Sequence, residues 1–284
     1  MDNSRILILG SNGQLGRSLS KKYPEAKAID SSELDISNDQ AISNFDFSPY
    51  NVIINAAAYT NVDGAESKEG RVVAWKVNAL ALSLLVKAIS ELDITLIHIS
   101  TDCVFDGSLP NHKEDEPLSP LGVYGQSKAA GDLIVNTLSK FYILRTTWVI
   151  GDGKNFVRIM LDLARRGINP TVVSDVIGRP TFTIELVRAI DHLLKTNAEF
   201  GIYNVTNEGD PVSWADLTRA IYKEAELNNT VTDTTNEEYY SDKPNAAPRP
   251  INSVFDLAKI KSIGFNPTDW KEDLREYLKE EKKR

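Results

Sequence analysis

Near its N-terminus the chain reads Arg5-Ile-Leu-Ile-Leu-Gly10-Ser-Asn-Gly13-Gln-Leu-Gly16, and a helical pattern follows to about Lys22. This stretch predicts a buried strand, a tight turn and the start of a helix. In such a turn the first glycine permits the bend, the second lets backbone N–H groups approach a pyrophosphate, and the third allows close helix–strand packing. Gly10, Gly13 and Gly16 therefore predict a dinucleotide site, with a purely structural turn as the alternative.

A phosphate-loop nucleotide-binding site is disfavoured at the same turn. Gly16-Arg17-Ser18 imitates the end of that motif, but its first glycine would fall at Ser11 and its lysine is replaced by Arg17.

The pattern of strands and helices continues beyond this unit. Continuous apolar strands that alternate with amphipathic helices predict a parallel sheet buried on both faces. The fold class is thus α/β, with a Rossmann-like doubly wound sheet over residues 1–150 and a smaller, discontinuous C-terminal part over 151–284, from which some segments return to the sheet. The predicted strands are 26–29, 52–55, 94–99 and 142–145, the predicted helices are 39–45, 71–92, 124–139, 155–166, 183–195, 214–226, 256–262 and 270–281, and 228–250 is predicted as an irregular loop.

Composition limits the possible partners. The 284 residues carry 32 basic and 40 acidic side chains, a net charge of −8, which argues against a general binder of nucleic acid or anionic membranes. The single cysteine, Cys103, excludes an intrachain disulfide and fits a reducing compartment. No apolar run reaches the ~20 residues of a membrane span, and no signal peptide precedes the first strand. These features predict a soluble, cytoplasmic enzyme.

Asp30 bears on the choice of coenzyme. It ends the second predicted strand about twenty residues beyond the glycine turn, where a carboxylate can bind ribose hydroxyls and disfavour a 2′-phosphate. Ser31, Ser32 and Arg17 lie close by in the sequence and could tolerate a phosphate. The cofactor is therefore predicted as NADH or NADPH, and an ordinary turn residue is the alternative for Asp30.

Tyr124 and Lys128 begin a predicted helix four residues apart, so their side chains project from one face. A nearby cation and a helix N-terminus both favour a phenolate, so we expect the pKa of Tyr124 to be lowered. Thr101, at the C-terminal end of a buried strand, can donate a hydrogen bond to a substrate carbonyl. Ser100 is the rival for this role, and strand capping is the alternative for both.

With these elements in this order, the chain resembles the extended short-chain dehydrogenase/reductase superfamily and, more narrowly, the dTDP-4-dehydrorhamnose reductase family. The narrower resemblance rests on motifs spread over nearly the whole chain. They are Asn55-Ala-Ala-Ala-Tyr-Thr-Asn-Val-Asp-Gly-Ala-Glu66, Ser100-Thr-Asp-Cys-Val-Phe-Asp-Gly107, Pro120-Leu-Gly-Val-Tyr-Gly125, Arg145-Thr-Thr-Trp148, Gly178-Arg-Pro-Thr181 and Arg249-Pro-Ile-Asn-Ser253.

The resemblance implies reduction of the 4-keto group of dTDP-4-dehydro-L-rhamnose, with hydride from the nicotinamide. Tyr124 would then supply the proton, Lys128 would tune Tyr124 and bind the ribose, and Thr101 would hold the carbonyl oxygen. Beyond the glycines, Tyr124 and Lys128, the implied cofactor contacts are Gln14, Leu15, Asp30, Asp35, Ile36, Ala58, Tyr59 and Thr60. The implied substrate contacts are Thr101, Asp102, Trp148, Arg249 and Asn252.

Departures from the family pattern leave the exact sugar open. Cys103 and Val176 stand where the family usually has tyrosine and glutamine, and Ile150 where it often has tyrosine. Ser18 replaces one of the glutamates through which some members bind Mg²⁺, so we predict no metal site. The three histidines, at 98, 112 and 192, show no ligand spacing and are predicted as core or surface residues.

Three other functions remain open at this stage. They are a 4-keto reductase for another dTDP-deoxysugar, a sugar-nucleotide epimerase that retains NAD⁺, and a non-catalytic dinucleotide-binding regulator. The last commonly lacks the tyrosine or the lysine, and this chain has both. The protein is expected to be a monomer or a homodimer, with a dTDP-linked deoxyhexulose as substrate.

Overall fold

A parallel sheet forms the centre of the molecule in the computed structural model, which describes residues 2–243 and 246–283. The strands are β1 Ile6–Leu9, β2 Lys27–Ile29, β3 Val52–Asn55, β4 Thr95–Thr101, β5 Phe141–Thr146, β6 Val149–Ile150, β7 Thr171–Val173, β8 Ile177–Gly178, β9 Thr181–Phe182, β10 Gly201–Asn204, β11 Val212–Ser213 and β12 Thr232–Thr234. The central sheet has the order β2-β1-β3-β4-β5-β10, with all neighbours parallel. From β1 the chain adds β2 on one side, and it then adds β3, β4, β5 and β10 on the other side, so the strand order switches between β1 and β3. In open α/β sheets, ligands bind in the crevice at such a switch point.

Helices cover both faces of the sheet, which confirms the predicted doubly wound class. The helices are α1 Gln14–Lys22, α2 Asp39–Asn44, α3 Lys68–Trp75, α4 Ala81–Ile89, α5 Val123–Val135, α6 Phe156–Arg165, α7 Thr183–Thr196, α8 Trp214–Glu224, α9 Asn236–Tyr240, α10 Ala258–Ser262 and α11 Trp270–Lys282.

Strand β1 shows why this sequence is buried on both sides. Ile6 and Ile8 pack into the apolar cluster on one face, and Leu7 and Leu9 pack into the cluster on the other. Alternate side chains of a strand point to opposite faces, so a strand with a core on each side must be apolar throughout. The continuous apolar run at the head of the chain is therefore a direct consequence of its central place in the sheet.

The helix predicted over 71–92 is observed over Lys68–Ile89, where a π-helical turn, Lys76–Leu80, joins α3 to α4. By its length and composition alone, this helix could cross a membrane, which contradicts the prediction that no apolar run of that length exists. Core helices of soluble proteins can have the same composition. Its Leu82, Leu85 and Ile89 are packed in the core beneath the central sheet.

The C-terminal half contributes to two places in the structure. Strand β10 completes the central sheet beside β5, and α7 packs against α1. A separate apolar cluster, which includes Val157, Leu217 and Trp270, forms the core of the smaller part. The boundary predicted at residue 150 stays a prediction, because these segments cross it.

The segment predicted as an irregular loop, 228–250, contains structure that the sequence pattern did not indicate. Strand β12 pairs in parallel with β7, and α9 follows it with Thr235 as its N-cap. Strand β12 reads Thr-Asp-Thr and lies on the surface, so it lacks the apolar pattern by which a strand is predicted.

Candidate active site

A cavity of about 800 Å³ opens at the C-terminal edge of the central sheet, between the sheet and the smaller part. Segments far apart in the sequence form its wall: the glycine turn, the ends of β3 and β4, the start of α5 and the loops after β5. Of the predicted site residues, those that line it are Gly13, Gln14, Leu15, Ala58, Thr60, Thr101, Asp102, Tyr124, Lys128, Trp148 and Arg249.

The glycine turn forms a cradle that larger residues would fill. Gly10 has φ +81°, and a Cβ there would lie 2.7 Å from the backbone nitrogen of Ala57. A Cβ on Gly16 would lie 2.1 Å from the carbonyl oxygen of Gly10. Gly13 is the N-cap of α1 and has no side chain to cap it, so the positive end of the helix faces the cavity. These residues fit the pyrophosphate of a dinucleotide.

Asp30 contacts Asn12 of the glycine turn, and Asp35 follows five residues later; neither of these carboxylates lines the cavity. Asp30 accepts hydrogen bonds from the backbone and hydroxyl of Ser32 and from the amide of Asn12. Asp35 accepts the equivalent pair from Ser37. The hydrogen bonds from these serines lower the pKa of both carboxyl groups. Each carboxylate therefore keeps its charge at neutral pH.

Two other predicted cofactor contacts differ from expectation. The side chain of Ile36 packs in the core on one face of the sheet, so that side chain is turned away from a ligand. Tyr59 packs beside the cluster of Ala65, Ala74 and Val123, and its backbone N–H donates to the side chain of Asn78 at 2.9 Å. Neither residue lines the cavity, whereas Ala58 and Thr60 beside them do.

Tyr124 and Lys128 lie one turn apart at the start of α5, as their spacing predicts, and both line the cavity. Lys128 is only 1% exposed. Its Nζ donates to the carbonyl oxygen of Ile99 at 2.7 Å and lies 3.2 Å from Nε2 of His98. Burial lowers the pKa of Lys128 to about 8, and the charge of Asp132 opposes this shift.

The predicted lowering of the pKa of Tyr124 is wrong. Burial raises the pKa of this phenol, the nearby Cys103 and Asp102 raise it further, and a hydrogen bond with Thr101 opposes them. The Lys128 ammonium, by which we expected the shift, is directed instead to Ile99 and His98. Tyr124 is therefore protonated at neutral pH, the form that can donate a proton.

Thr101 ends β4 and Asp102 follows it, and both line the cavity. The Thr101 hydroxyl donates to Asp102 at 2.8 Å, and the Ser253 hydroxyl donates to the other carboxylate oxygen at 2.5 Å. Burial raises the pKa of Asp102, and these two hydrogen bonds oppose the shift. The rival, Ser100, also lines the cavity, and it helps to lower the pKa of the buried Asp132.

A pair of tryptophans forms the opposite wall. Trp148 has φ 43°, a left-handed conformation that is unusual for a bulky residue. Its ring stacks on Trp214, with 3.7 Å between centroids and 19° between planes. The stacked pair presents a broad, flat apolar surface, which suits the C–H face of a sugar or a nucleobase.

Arg249 and Asn252 are held by protein groups in this structure. Arg249 lines the cavity, donates to the carboxylate of Asp63 at 2.7 Å and lies over the ring of Tyr240. The Asn252 amide donates to the carbonyl of Leu109 at 2.8 Å and accepts from the backbone of Val254, and Asn252 does not line the cavity. Its predicted role in substrate binding therefore has no support from the geometry.

Several site residues escaped the sequence reasoning. His98 is a buried core histidine, one of the two predicted possibilities, but its contact with Lys128 was not predicted. Trp214 and Ser253 line the cavity, although neither belonged to the predicted set. Among residues 2–243 and 246–283, no group of three or more metal-ligating side chains is close enough to hold an ion.

The glycine cradle, the Thr101–Tyr124–Lys128 group and the doubly wound sheet together define a dinucleotide-dependent oxidoreductase of the short-chain dehydrogenase/reductase type. The chain belongs to the RmlD substrate binding domain family, whose profile matches residues 4–283.

Known proteins resemble the chain over nearly its full length. It is 41% identical to the dTDP-4-dehydrorhamnose reductase of Aggregatibacter actinomycetemcomitans, covering 96% of this chain and 97% of the relative. It is 35% identical to the spore coat polysaccharide biosynthesis protein SpsK of Bacillus subtilis, covering 98% of each. The crystal structure of dTDP-4-dehydrorhamnose reductase from Bacillus anthracis in complex with NADP superposes with a TM-score of 0.90 at 32% identity, covering 97% of this chain and 99% of that one. The family predicted from the sequence motifs is thus confirmed.

Proposed function

We propose that this protein reduces the 4-keto group of dTDP-4-dehydro-L-rhamnose to give dTDP-L-rhamnose, with NADPH or NADH as the reductant. The observation that carries the proposal is the grouping of Tyr124, Thr101 and Lys128 in a cavity headed by a glycine cradle. The names of the relatives support the substrate, and the NADP bound to the Bacillus anthracis relative supports the cofactor.

The residues divide the work according to their chemistry. In this proposal the Thr101 hydroxyl holds the substrate carbonyl, and the Tyr124 hydroxyl donates a proton to its oxygen. Lys128 lies where an N–H can bind a ribose hydroxyl, and Trp148 and Trp214 present an apolar wall. A bound nicotinamide supplies the hydride.

A substrate panel tests the proposal. Purified protein with dTDP-4-dehydro-L-rhamnose is expected to oxidise one equivalent of NADPH or NADH and to yield a single reduced sugar nucleotide. Absence of turnover with every 4-keto sugar nucleotide, while dinucleotide still binds, would favour the regulatory alternative.

A second candidate is a 4-keto reductase that makes a different deoxysugar nucleotide. Cys103 and Val176 line the cavity and replace the tyrosine and glutamine usual in the resembled family, so they change the polarity of the wall. Ile150, the third departure, is buried in the smaller core and does not line the cavity. Product analysis by NMR separates the candidates, because they differ only in the sugar.

Coenzyme choice is expected to depend on Asp30. Asp30→Ser removes a fixed carboxylate near the adenosine ribose and should raise kcat/KM with NADPH relative to NADH about tenfold, because a 2′-phosphate no longer meets a like charge. Steady-state kinetics with both coenzymes measure the ratio. Asp46→Ser is the matched control, since Asp46 makes the same turn with Ser48, whereas Asp30 also accepts from Asn12 of the glycine turn. An unchanged ratio would remove Asp30 from coenzyme recognition.

The aromatic wall is expected to govern substrate binding. Trp214→Leu removes the ring on which Trp148 stacks and should raise KM for the sugar nucleotide about tenfold, with a smaller effect on kcat, because a stacked aromatic contributes ~1 kcal/mol beyond burial. Trp75→Leu, at an exposed site outside the cavity, is the control. Equal KM values in the two variants would show that the wall does not contact the substrate.

We also propose that the protein acts in the cytoplasm as a monomer or homodimer, without nucleic acid or membrane, and that residues 151–284 mainly bind the sugar nucleotide while some of their segments return to the central sheet. The net charge of −8 supports the absence of nucleic acid and anionic membranes, and the single cysteine fits a reducing compartment. Size-exclusion chromatography with light scattering tests the oligomeric state.

A further inference from the structure

Glu66 holds the start of α5 from a distant part of the chain. It ends a short 3₁₀ turn, Gly64–Glu66, which lies between β3 and α3. Its Oε1 accepts a hydrogen bond from the backbone N–H of Val123 at 2.8 Å. Val123 is the first residue of α5, and Tyr124 follows it directly. The Glu66 side chain therefore contacts the turn of helix that carries the phenol.

The N-terminus of α5 has no cap of its own. Its N-cap residue is Gly122, which has no side chain that could accept from the first turn. The helical hydrogen bonds begin with the N–H of Gln126, which donates to the carbonyl of Gly122. The N–H of Val123 therefore lacks a partner within the helix, and Val123 is only 3% exposed, so water has little access to it. Glu66 supplies the acceptor, a part that a serine or aspartate at the N-cap usually plays.

Gly122 makes room for this contact. Its φ of −113° is one that any residue adopts, so the backbone conformation does not require a glycine here. A Cβ at this position would lie 2.8 Å from Oε1 of Glu66, and the next nearest atom, Cδ of Pro248, would lie at 3.3 Å. A side chain at the N-cap would thus displace the carboxylate. The glycine excludes a local cap and admits a remote one.

The turn that ends at Glu66 is itself firmly held against α5. The backbone N–H of Glu66 donates to the carbonyl of Asp63 at 3.1 Å. Ala65 is fully buried in a small apolar cluster with Val123, and Tyr124 packs against this cluster. Both the backbone and the side chain of the turn therefore meet the first turn of α5, so loss of the Glu66 contact should loosen the part of the helix that carries Tyr124.

We propose that Glu66 is a positioning residue for the reaction: it caps α5 across the fold and so fixes Tyr124 at the substrate carbonyl. The effect on turnover rests on the function proposed above, whereas the effect on the first turn of α5 does not. Lys128 should be little affected, because it lies one turn further along and its Nζ is held by the carbonyl of Ile99 at 2.7 Å. The glycine cradle belongs to a different segment, so cofactor affinity should also be kept.

Amide hydrogen exchange tests the cap on the protein without ligand. In Glu66→Ala, the N–H groups of Val123 and Gln126 should exchange about fivefold faster or more, because loss of a helix cap destabilises the first turn to this extent. The N–H of Asp132, two turns beyond Tyr124, should exchange at the parent rate. Unchanged exchange at Val123 in a variant that is folded, as judged by circular dichroism, would overturn the proposal.

Substitutions at Glu66 separate the reach of the side chain from its charge. Glu66→Gln keeps an oxygen that accepts from Val123 and loses the charge, whereas Glu66→Asp keeps the charge and is one methylene too short. Glu66→Ala and Glu66→Asp should lower kcat about tenfold, because a small misplacement of a catalytic group is costly, and Glu66→Gln should stay within about twofold of the parent. KM for the sugar nucleotide and the dissociation constant of NADPH should change little in all three. Glu69→Ala, at an exposed position in the first turn of α3, is the control and should match the parent.

The opposite order of the variants would overturn the proposal. Parent activity in Glu66→Asp with a loss in Glu66→Gln would assign the effect to charge, and a rise in KM or in the NADPH dissociation constant as large as the fall in kcat would assign Glu66 to general stability. If Glu66→Ala does not fold, Glu66→Asp serves for both measurements. Because hydrogen exchange needs no substrate, a parent protein that reduces no sugar nucleotide would count against the reductase function alone, and unchanged exchange would count against the cap alone.

Discussion

Tyr124→Phe is expected to lower kcat about 10²–10⁴-fold, the usual scale for loss of a general acid. The variant removes one hydroxyl and keeps the ring, so the packing at the start of α5 is preserved. KM for the sugar nucleotide and the dissociation constant of NADPH should change little. Stopped-flow measurement of NADPH oxidation under single-turnover conditions checks that the chemical step is the one slowed.

The control is Tyr50→Phe, which removes a hydroxyl from a ring that stacks on Phe45 away from the cavity. It should turn over at the parent rate. If Tyr124→Phe did so too, the proton would come from elsewhere and the assigned mechanism would fail. A loss of NADPH binding in Tyr124→Phe would instead assign the phenol to cofactor binding.

Arg145→Met is expected to destabilise the protein by about 3–5 kcal/mol, the cost of leaving one member of a buried ion pair without its partner. Arg145 and Asp132 are each 2% exposed, with 3.0 Å between Nε and the carboxylate. A second guanidinium nitrogen donates to the carbonyl of Glu114 at 3.0 Å, and that hydrogen bond is lost as well. Urea denaturation followed by circular dichroism measures the change in the free energy of unfolding.

The loss should grow as pH rises. Burial raises the pKa of Asp132, and the charge of Arg145 opposes this shift. In Arg145→Met that opposition is lost, so the pKa of Asp132 in the folded protein rises further above its value in the unfolded chain. The folded state then binds the extra proton, and its stability falls as pH rises above the unfolded value. The deficit should therefore be larger at pH 8 than at pH 5.

Arg219→Met provides the matched control, because Arg219 pairs with Asp216 and Asp233 on the surface. An exposed pair contributes less than ~1 kcal/mol, so this variant should be nearly as stable as the parent. Adding Asp132→Leu to Arg145→Met should recover part of the lost stability, since the unpaired charge is then removed. No recovery would mean that packing, rather than charge, accounts for the loss.

Features fixed by neighbouring residues could be predicted from the sequence. The glycine turn and the Tyr124–Lys128 spacing depend on one turn and one helix, and both are found where the pattern places them. The doubly wound sheet followed from apolar strands such as β1, whose side chains are buried on both faces.

Features fixed by contacts between distant segments could not be predicted. His98 adjoins Lys128 because β4 lies beneath α5, and nothing in the spacing of 98 and 128 indicates this contact. Trp214 reaches Trp148 from another element of the smaller part. The pKa of Tyr124 was predicted in the wrong direction for the same reason, since burial depends on the whole fold and the nearby Cys103 and Asp102 act in the same direction as burial.

The position of β10 at the edge of the central sheet has a consequence for biosynthesis. Residues 201–204 hydrogen-bond to β5, and α7, which precedes them, shields α1. A ribosome therefore releases the first five strands well before it delivers the segments that cover them. During that interval the growing polypeptide carries an open backbone edge and bare hydrocarbon surface, the features on which chaperones act.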